Sequence, residues 1–320
     1  MKIAVVGCGA VGSYYGAMLS RAGQDVHFLL RSDYDVVRRD GVNIRSPKGD
    51  FNARPRAART PQEIGPCDLV LIALKTTANS EFPKLLPPLV GPHTAVLTLQ
   101  NGLGNEEALA KLFPPAQILG GLCFVCLNRI APGVIQHLDH GLVMLGEFQR
   151  WPEPRTHDIA AMFKHAGIVC KVSDNLAYAH WEKLVWNIPF NGLGVASTAG
   201  YEALHMPSSV LPKTRQPCLT TNQLLDAGKW EALVRELMLE VIATANALGH
   251  KLDVALADKM IERTRSMGAY QASTLLDFER GQALELESLF LEPLRQAQQA
   301  KVTTSCLETL CSVLHKLNPA

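Results

Sequence analysis

Along the first half of the chain, apolar residues come in short unbroken runs, each closed by a turn and followed by a stretch with helical spacing. Lys2–Val6, Asp25–Leu30, Asp68–Leu74 and Ala95–Leu99 are the first four runs. Continuous rather than alternating apolar character marks parallel strands covered on both faces. Ser13–Ala22, Asn105–Leu112 and His157–Ala166 read as helices among them. Ile118–Leu127 reads as a further strand, Val134–Leu138 and Leu142–Leu145 as a hairpin turning at Asp139-His140-Gly141, and Ile168–Val172 as the last strand. From Asp174 onward the pattern is helical. Ser173 or Asp174 caps a helix containing Trp181, and further helices are predicted over Trp230–Leu248, Asp253–Ser266, Gln271–Glu279, Ala283–Gln299 and Cys306–Lys316. Ser305 and Glu308 form a capping box for the last, and Ala199–Pro217, with three prolines, is a loop. The predicted organisation is an α/β domain over residues 1–173 and an all-α domain over 174–320.

Composition narrows the partners. Thirty-one basic residues against thirty acidic ones, without a basic run, offer no electrostatic footprint for nucleic acid or an anionic membrane, which leaves a small molecule as the expected ligand. A strand starting at Lys2 leaves no room for a signal peptide, and no apolar run is long enough to span a bilayer, so the expected compartment is the cytoplasm. The eight cysteines stand singly except Cys123 and Cys126. On a strand that pair points to opposite faces, which favours buried thiols over metal or redox chemistry. His137 and His140 lack further ligands at metal spacing and read as turn or rim histidines.

The first run leads straight into Gly7-Cys8-Gly9-Ala10-Val11-Gly12 and then a helix. Strand, glycine turn and helix is the context of a Rossmann-type dinucleotide site. The first glycine permits the turn, Gly9 lets backbone approach a pyrophosphate, Gly12 lets helix and strand pack closely, and the N–H groups around Ala10 and Val11 face the phosphates. At the end of the second strand stands Arg31 with Ser32. An NAD site places a carboxylate there, whereas a guanidinium suits the 2′-phosphate of NADP; Asp33 belongs to the start of the next helix, with Ser32 as its cap. Lys75 and Gln100-Asn101 occupy two later strand ends, where ligands of open α/β sheets bind.

In the second half, Lys183, Asn187 and Asn191 recur every four residues and form one polar stripe on a helix otherwise made of Trp181, Leu184, Val185, Trp186, Ile188 and Phe190. Either the lysine snorkels to water or the stripe serves a site. Ser273 and Glu285 stand out by chemistry, and Glu285 is a carboxylate in a leucine-rich setting with Lys183 as a potential partner. The alternative for Glu285 is a solvated face shared with Glu287.

Taken together, Gly7-x-Gly9-x-x-Gly12, Arg31, Lys75, Gln100-Asn101-Gly102, the Lys183/Asn187/Asn191 stripe and Ser273 twelve residues before Glu285 resemble the ketopantoate reductase (2-dehydropantoate 2-reductase) family over essentially the whole chain. The resemblance implies NADPH in the first domain, substrate in the cleft beside a helical second domain, and homodimers as a common state. It further implies Lys183 as general acid, Glu285 as the residue orienting it, Asn187, Asn191, Ser273 and Asn101 as substrate contacts, and Lys75 and Asn101 on the nicotinamide side. The implied reaction is reduction of a branched 2-oxo acid, ketopantoate to pantoate on the way to pantothenate and coenzyme A. Two positions depart from the family pattern: Pro189 interrupts the stripe helix, and Tyr201 stands where an asparagine is common. A rival reading is another Rossmann oxidoreductase with a helical second domain, for which Glu285 with Ser273 is the discriminator. A non-catalytic NADP-binding regulator is disfavoured by the intact stripe.

Overall fold

The computed structural model describes residues 1–205, 214–226 and 228–318, so residues 206–213 of the predicted loop lie outside the described residues. The chain divides into two compact units, Met1–Leu176 and the remainder from Ala177.

The first unit is built on one ten-stranded sheet: β1 (Lys2–Val6), β2 (Asp25–Leu29), β3 (Val42–Arg45), β4 (Phe51–Ala53), β5 (Arg56–Ala58), β6 (Cys67–Ile72), β7 (Val90–Thr98), β8 (Ile118–Ala131), β9 (Val134–Glu147) and β10 (Cys170–Val172). Its order is β4-β3-β9-β8-β7-β6-β1-β2-β5, with β10 pairing β9. The pairs β3–β4 and β8–β9 are antiparallel and all the others parallel. Helices α1 (Ala10–Arg21), α2 (Tyr34–Asp40), α3 (Pro61–Ile64), α4 (Phe82–Leu85), α5 (Asn105–Ala110) and α6 (Pro154–His165) connect the strands. Two cores result, one around Ile3, Val5, Phe28, Leu97 and Phe163, the other around Val6, Val70, Ile72 and Phe82. They form because residues alternate faces along a strand, so the unbroken apolar runs feed both sides of the sheet.

Three short strands between Val42 and Ala58 were not predicted, being only three or four residues long and interleaved with exposed polar residues. The predicted hairpin turn at Asp139–Gly141 is not a turn. β9 runs through it as one strand of 14 residues, and His140 (φ 66°) with Gly141 (φ 126°) absorbs a register shift against β8. The chain reverses instead at Pro132-Gly133. Positive φ at two successive residues can serve a bulge as well as a turn, and the sequence alone does not separate the two. His137 is not a rim residue: it is 2% exposed, with Nδ1 beside Ser46 Oγ at 2.9 Å, and burial pushes its pKa below the ordinary histidine value.

From Leu176 the chain is helical among the described residues: α7 (Leu176–Ala196), α8 (Thr221–Leu224), α9 (Lys229–Ala247), α10 (Leu256–Arg265), α11 (Ser273–Glu279), α12 (Glu292–Gln299) and α13 (Ser305–Leu317). α7 continues through Pro189, and residues 187 to 199 are buried throughout. The capping box predicted at Ser305 does not form, because the cap position is Thr304 and the N–H groups of Cys306 and Leu307 both donate, at 2.9 Å, to the Glu240 carboxylate of α9. Among the described residues no helix is long and apolar enough to cross a membrane, and no group of His, Cys, Asp and Glu is placed to hold a metal.

Candidate active site

In the first unit, the parallel register aligns Val6, Leu29, Ile72 and Thr98 at one rim of the sheet. The segments that leave this rim carry the glycine turn, Arg31, Lys75 and Asn101. β1 is flanked by β2 on one side and β6 on the other, so the rim at β1 is the point where strand order reverses, and open α/β sheets bind ligands there.

The three glycines of the turn are held for different reasons. Gly7 has φ 99°, and a Cβ on it would strike the backbone of Ala73 and Leu74; a Cβ on Gly12 would strike the Gly7 carbonyl oxygen. Around Gly9, by contrast, a Cβ would meet nothing within 4 Å. Gly9 is the N-cap residue of α1 and has no side chain to cap it, the first turn of α1 holds no acid, and the Gly9 carbonyl starts the helix by accepting Ser13 N–H at 3.1 Å. An open backbone surface at the positive end of a helix of 12 residues suits a diphosphate, so these residues fit the dinucleotide the sequence implies. Cys8 turns inward, with Sγ 3.6 Å from the Leu29 carbonyl, and burial pushes its thiol pKa well up.

Arg31 is exposed two residues beyond β2. Ser32 does not cap the following helix: Asp33 holds the cap position, Ser32 Oγ donates to Asp33 Oδ1 at 2.9 Å, and α2 begins at Tyr34. Asp33 is 6% exposed and also accepts from Arg129 of β8 and from Gly133 N–H at 3.0 Å. Burial opposes its charge, but those bonds together with the Arg129 charge hold its pKa below the ordinary aspartate value. Asp33 stands at the start of the helix, where the sequence places it, but a partner 96 residues away leaves no local signal of its ion pair.

Lys75 is exposed at the start of a 3-10 turn, Thr76–Glu81. Behind Asn101 lies a chain of amides. Thr98 Oγ1 donates to Gln100 Oε1 (2.9 Å), Gln100 Nε2 to Asn79 Oδ1 (2.7 Å), Asn79 Nδ2 to Asn105 Oδ1 (3.0 Å), and Asn105 Nδ2 to the Asn101 carbonyl (3.1 Å). Thr98, Gln100 and Asn105 are all buried, so this polar chain is satisfied internally and fixes both strand-end loops.

In the second unit the stripe of α7 is inward. Asn187 is 6% and Asn191 3% exposed, and Lys183 is half-buried. Asn191 Oδ1 accepts from Ser273 Oγ (3.3 Å) and Thr274 N–H (3.1 Å), while its Nδ2 donates to the Asn187 carbonyl (3.1 Å). The asparagine thereby caps α11, whose own cap position, Ala272, has no side-chain acceptor. The Asn187 side chain makes no hydrogen bond among the described residues. Glu285 is 4% exposed, while Glu287 is exposed and paired with Arg295, so the two glutamates do not share a solvated face. A π-helical turn, Glu287–Leu291, follows directly, and such turns recur at functional sites. Tyr201 stacks edge-on against Trp230 (5.1 Å between ring centres) with the Lys229 ammonium 4.3 Å from its ring.

The chain matches the family profile "Ketopantoate reductase PanE/ApbA" over residues 3–150 and "Ketopantoate reductase PanE/ApbA C terminal" over 218–318. It belongs to the ketopantoate reductase family. As a member it is an oxidoreductase acting on a CH–OH group. It is 40% identical to 2-dehydropantoate 2-reductase of Nostoc sp. over 311 residues, 94% of this chain and 90% of that enzyme. Among solved structures, 2-dehydropantoate 2-reductase from Geobacter metallireducens is 44% identical and superposes with a TM-score of 0.90, covering 99% of each chain. A D-mandelate dehydrogenase ternary complex with NADH and anilino(oxo)acetate is 20% identical and has a TM-score of 0.85, covering 99% of this chain and 98% of that one. At that identity the second likeness shows the fold alone. The ketopantoate reductase architecture, a sheet domain followed by a helical one, is the fold predicted from the sequence.

Proposed function

We propose that this chain is an NADPH-dependent 2-dehydropantoate 2-reductase with Lys183 as its proton donor. What supports the reading above all is that Asn187 and Asn191 of the polar stripe are buried beside the half-buried Lys183, with Asn191 bonded to Ser273 and Thr274, in a chain whose family profiles cover both units. The bound nicotinamide supplies a hydride to the C2 carbonyl of the 2-oxo acid. As charge develops on that oxygen, the Lys183 ammonium stabilises it and transfers a proton, the two effects of a positioned general acid in a water-poor site. Glu285 orients Lys183, the Asn187 amide and Ser273 hydroxyl contact the substrate's polar groups, and Asn191 holds Ser273 in place. The turn from Gly7 to Gly12, including the N–H groups of Ala10 and Val11, binds the diphosphate. Arg31 binds the 2′-phosphate, and Lys75 and Asn101 line the nicotinamide side. Tyr201, packed on Trp230 and Lys229, makes a different pocket wall from an asparagine, which keeps a related branched 2-oxo acid as the second substrate reading.

The test is NADPH oxidation with ketopantoate, 2-oxoisovalerate, pyruvate and acetoacetate in parallel. Fastest turnover of ketopantoate is expected; turnover of acetoacetate alone sinks the 2-oxo acid assignment. Lys183→Ala should lower kcat by about 10² or more. An unchanged kcat removes Lys183 from the chemistry.

A further inference from the structure

Asp33 presents a puzzle for an NADP site. It sits at the rim just beyond β2, where an NAD-selective protein offers a carboxylate to the ribose 2′-hydroxyl, and where a negative charge works against a 2′-phosphate. Its surroundings resolve the conflict. A carboxylate has about four in-plane lone-pair sites, two per oxygen. Here Oδ1 accepts from Ser32 Oγ and Arg129 Nη2, and Oδ2 accepts from Arg129 Nε and Gly133 N–H, each of the last two at 3.0 Å. Both oxygens are saturated and the carboxylate is buried. The Arg129 contribution is bidentate, the geometry in which a guanidinium holds a carboxylate most firmly.

We propose that Arg129 is a positioning residue for cofactor selectivity, which by engaging Asp33 withdraws its carboxylate from the adenosine ribose and neutralises it beside Arg31. Arg129 lies on β8, 96 residues along the chain from Asp33, and acts through Asp33 without touching the cofactor. The inference rests on the NADPH reading above. It adds that selectivity depends as much on hiding an acid as on displaying a base.

The experiment is calorimetric titration of the purified full-length protein with NADPH and with NADH, for the wild type, Arg129→Met, Arg129→Lys and the double variant Arg129→Met/Asp33→Asn. Arg129→Met exposes a charged acceptor to the ribose, so NADPH binding should weaken and NADH binding tighten, moving the affinity ratio toward NADH by roughly tenfold or more. Asp33→Asn in that background removes the charge and should return most of the shift, whereas a purely structural role for Arg129 would weaken both cofactors alike. Arg129→Lys, which keeps the charge but loses the fork, should fall between, and it serves as the test if Arg129→Met does not fold. A ratio unchanged within about twofold in a folded Arg129 variant overturns the proposal. If instead the wild type binds NADH as tightly as NADPH, the 2′-phosphate reading of Arg31 fails, and the shift on Arg129 substitution still reports whether Asp33 is being withheld.

Discussion

Gly9 and Gly12 stand three residues apart in one turn, yet a methyl group added to each has opposite consequences. At Gly12 it meets the Gly7 carbonyl oxygen of the turn, so Gly12→Ala should lower the thermal midpoint even without cofactor. At Gly9 it enters open space, so Gly9→Ala should leave the midpoint of the free protein within a degree or so and weaken NADPH binding; equal loss of stability in both variants would remove the phosphate role of Gly9. Asp33 gives a residue-level pH signature. Its pKa is lower folded than unfolded, so its contribution to stability is present above the ordinary aspartate value and is lost as pH falls through the lowered one. Urea midpoints measured between about pH 5 and pH 2 should therefore fall less steeply in Asp33→Asn than in the wild type. At this scale the glycine turn and the Lys183 stripe were readable because their spacing is local. The fates of Asp33 and His137 were not, since their partners, Arg129 and Ser46, lie 96 and 91 residues away.

Elements in the second unit are joined by side chains that cap helices other than their own. Asn191 caps α11 from α7, and Glu240 caps α13 from α9. Burial raises the pKa of Glu240 while the two N–H donors pull it down, and burial wins. Glu240→Ala strands two helix N–H groups and should cost about 1–2 kcal/mol in the urea unfolding free energy. Asn191→Ala should cost about as much through Thr274 and should also raise KM for the oxo acid, because Ser273 loses its anchor. A variant that changes stability without KM would make Asn191 structural only. Helix existence was legible from apolar period, but the cap of α13 was not. Ser305 and Glu308 have capping-box spacing, yet a carboxylate delivered from 66 residues away took both N–H groups. Pro189, read from sequence as an interruption, sits inside a helix whose surroundings are buried throughout, and tertiary packing overrides the local penalty.

For the whole molecule, the order of strands and helices was legible as a parallel α/β sheet followed by helices, because continuous apolar runs need cover on both faces. The width of the sheet was not, since β3, β4 and β5 are too short to carry a period and exist by pairing, β3 with β9, β4 with β3 and β5 with β2. Cofactor binding should stabilise the native chain by mass action, by about 2.7 kcal/mol when NADPH stands near a hundred times its Kd. A midpoint that does not move with NADPH would mean that the nucleotide is not bound by the native fold. The amide chain from Thr98 to Asn101 has a polarity of its own: every donor points the same way, toward the Asn101 carbonyl. Such a chain has one sense, and reversing one member forces the next to reverse. Asn79→Asp removes the donor facing Asn105. If Asn105 then turns its amide to serve the new carboxylate, its oxygen faces the Asn101 carbonyl. A substitution 22 positions before Asn101 would thus put two lone pairs against each other at the loop that carries it. In this chain, a one-atom change at residue 79 moves a group proposed to line the nicotinamide.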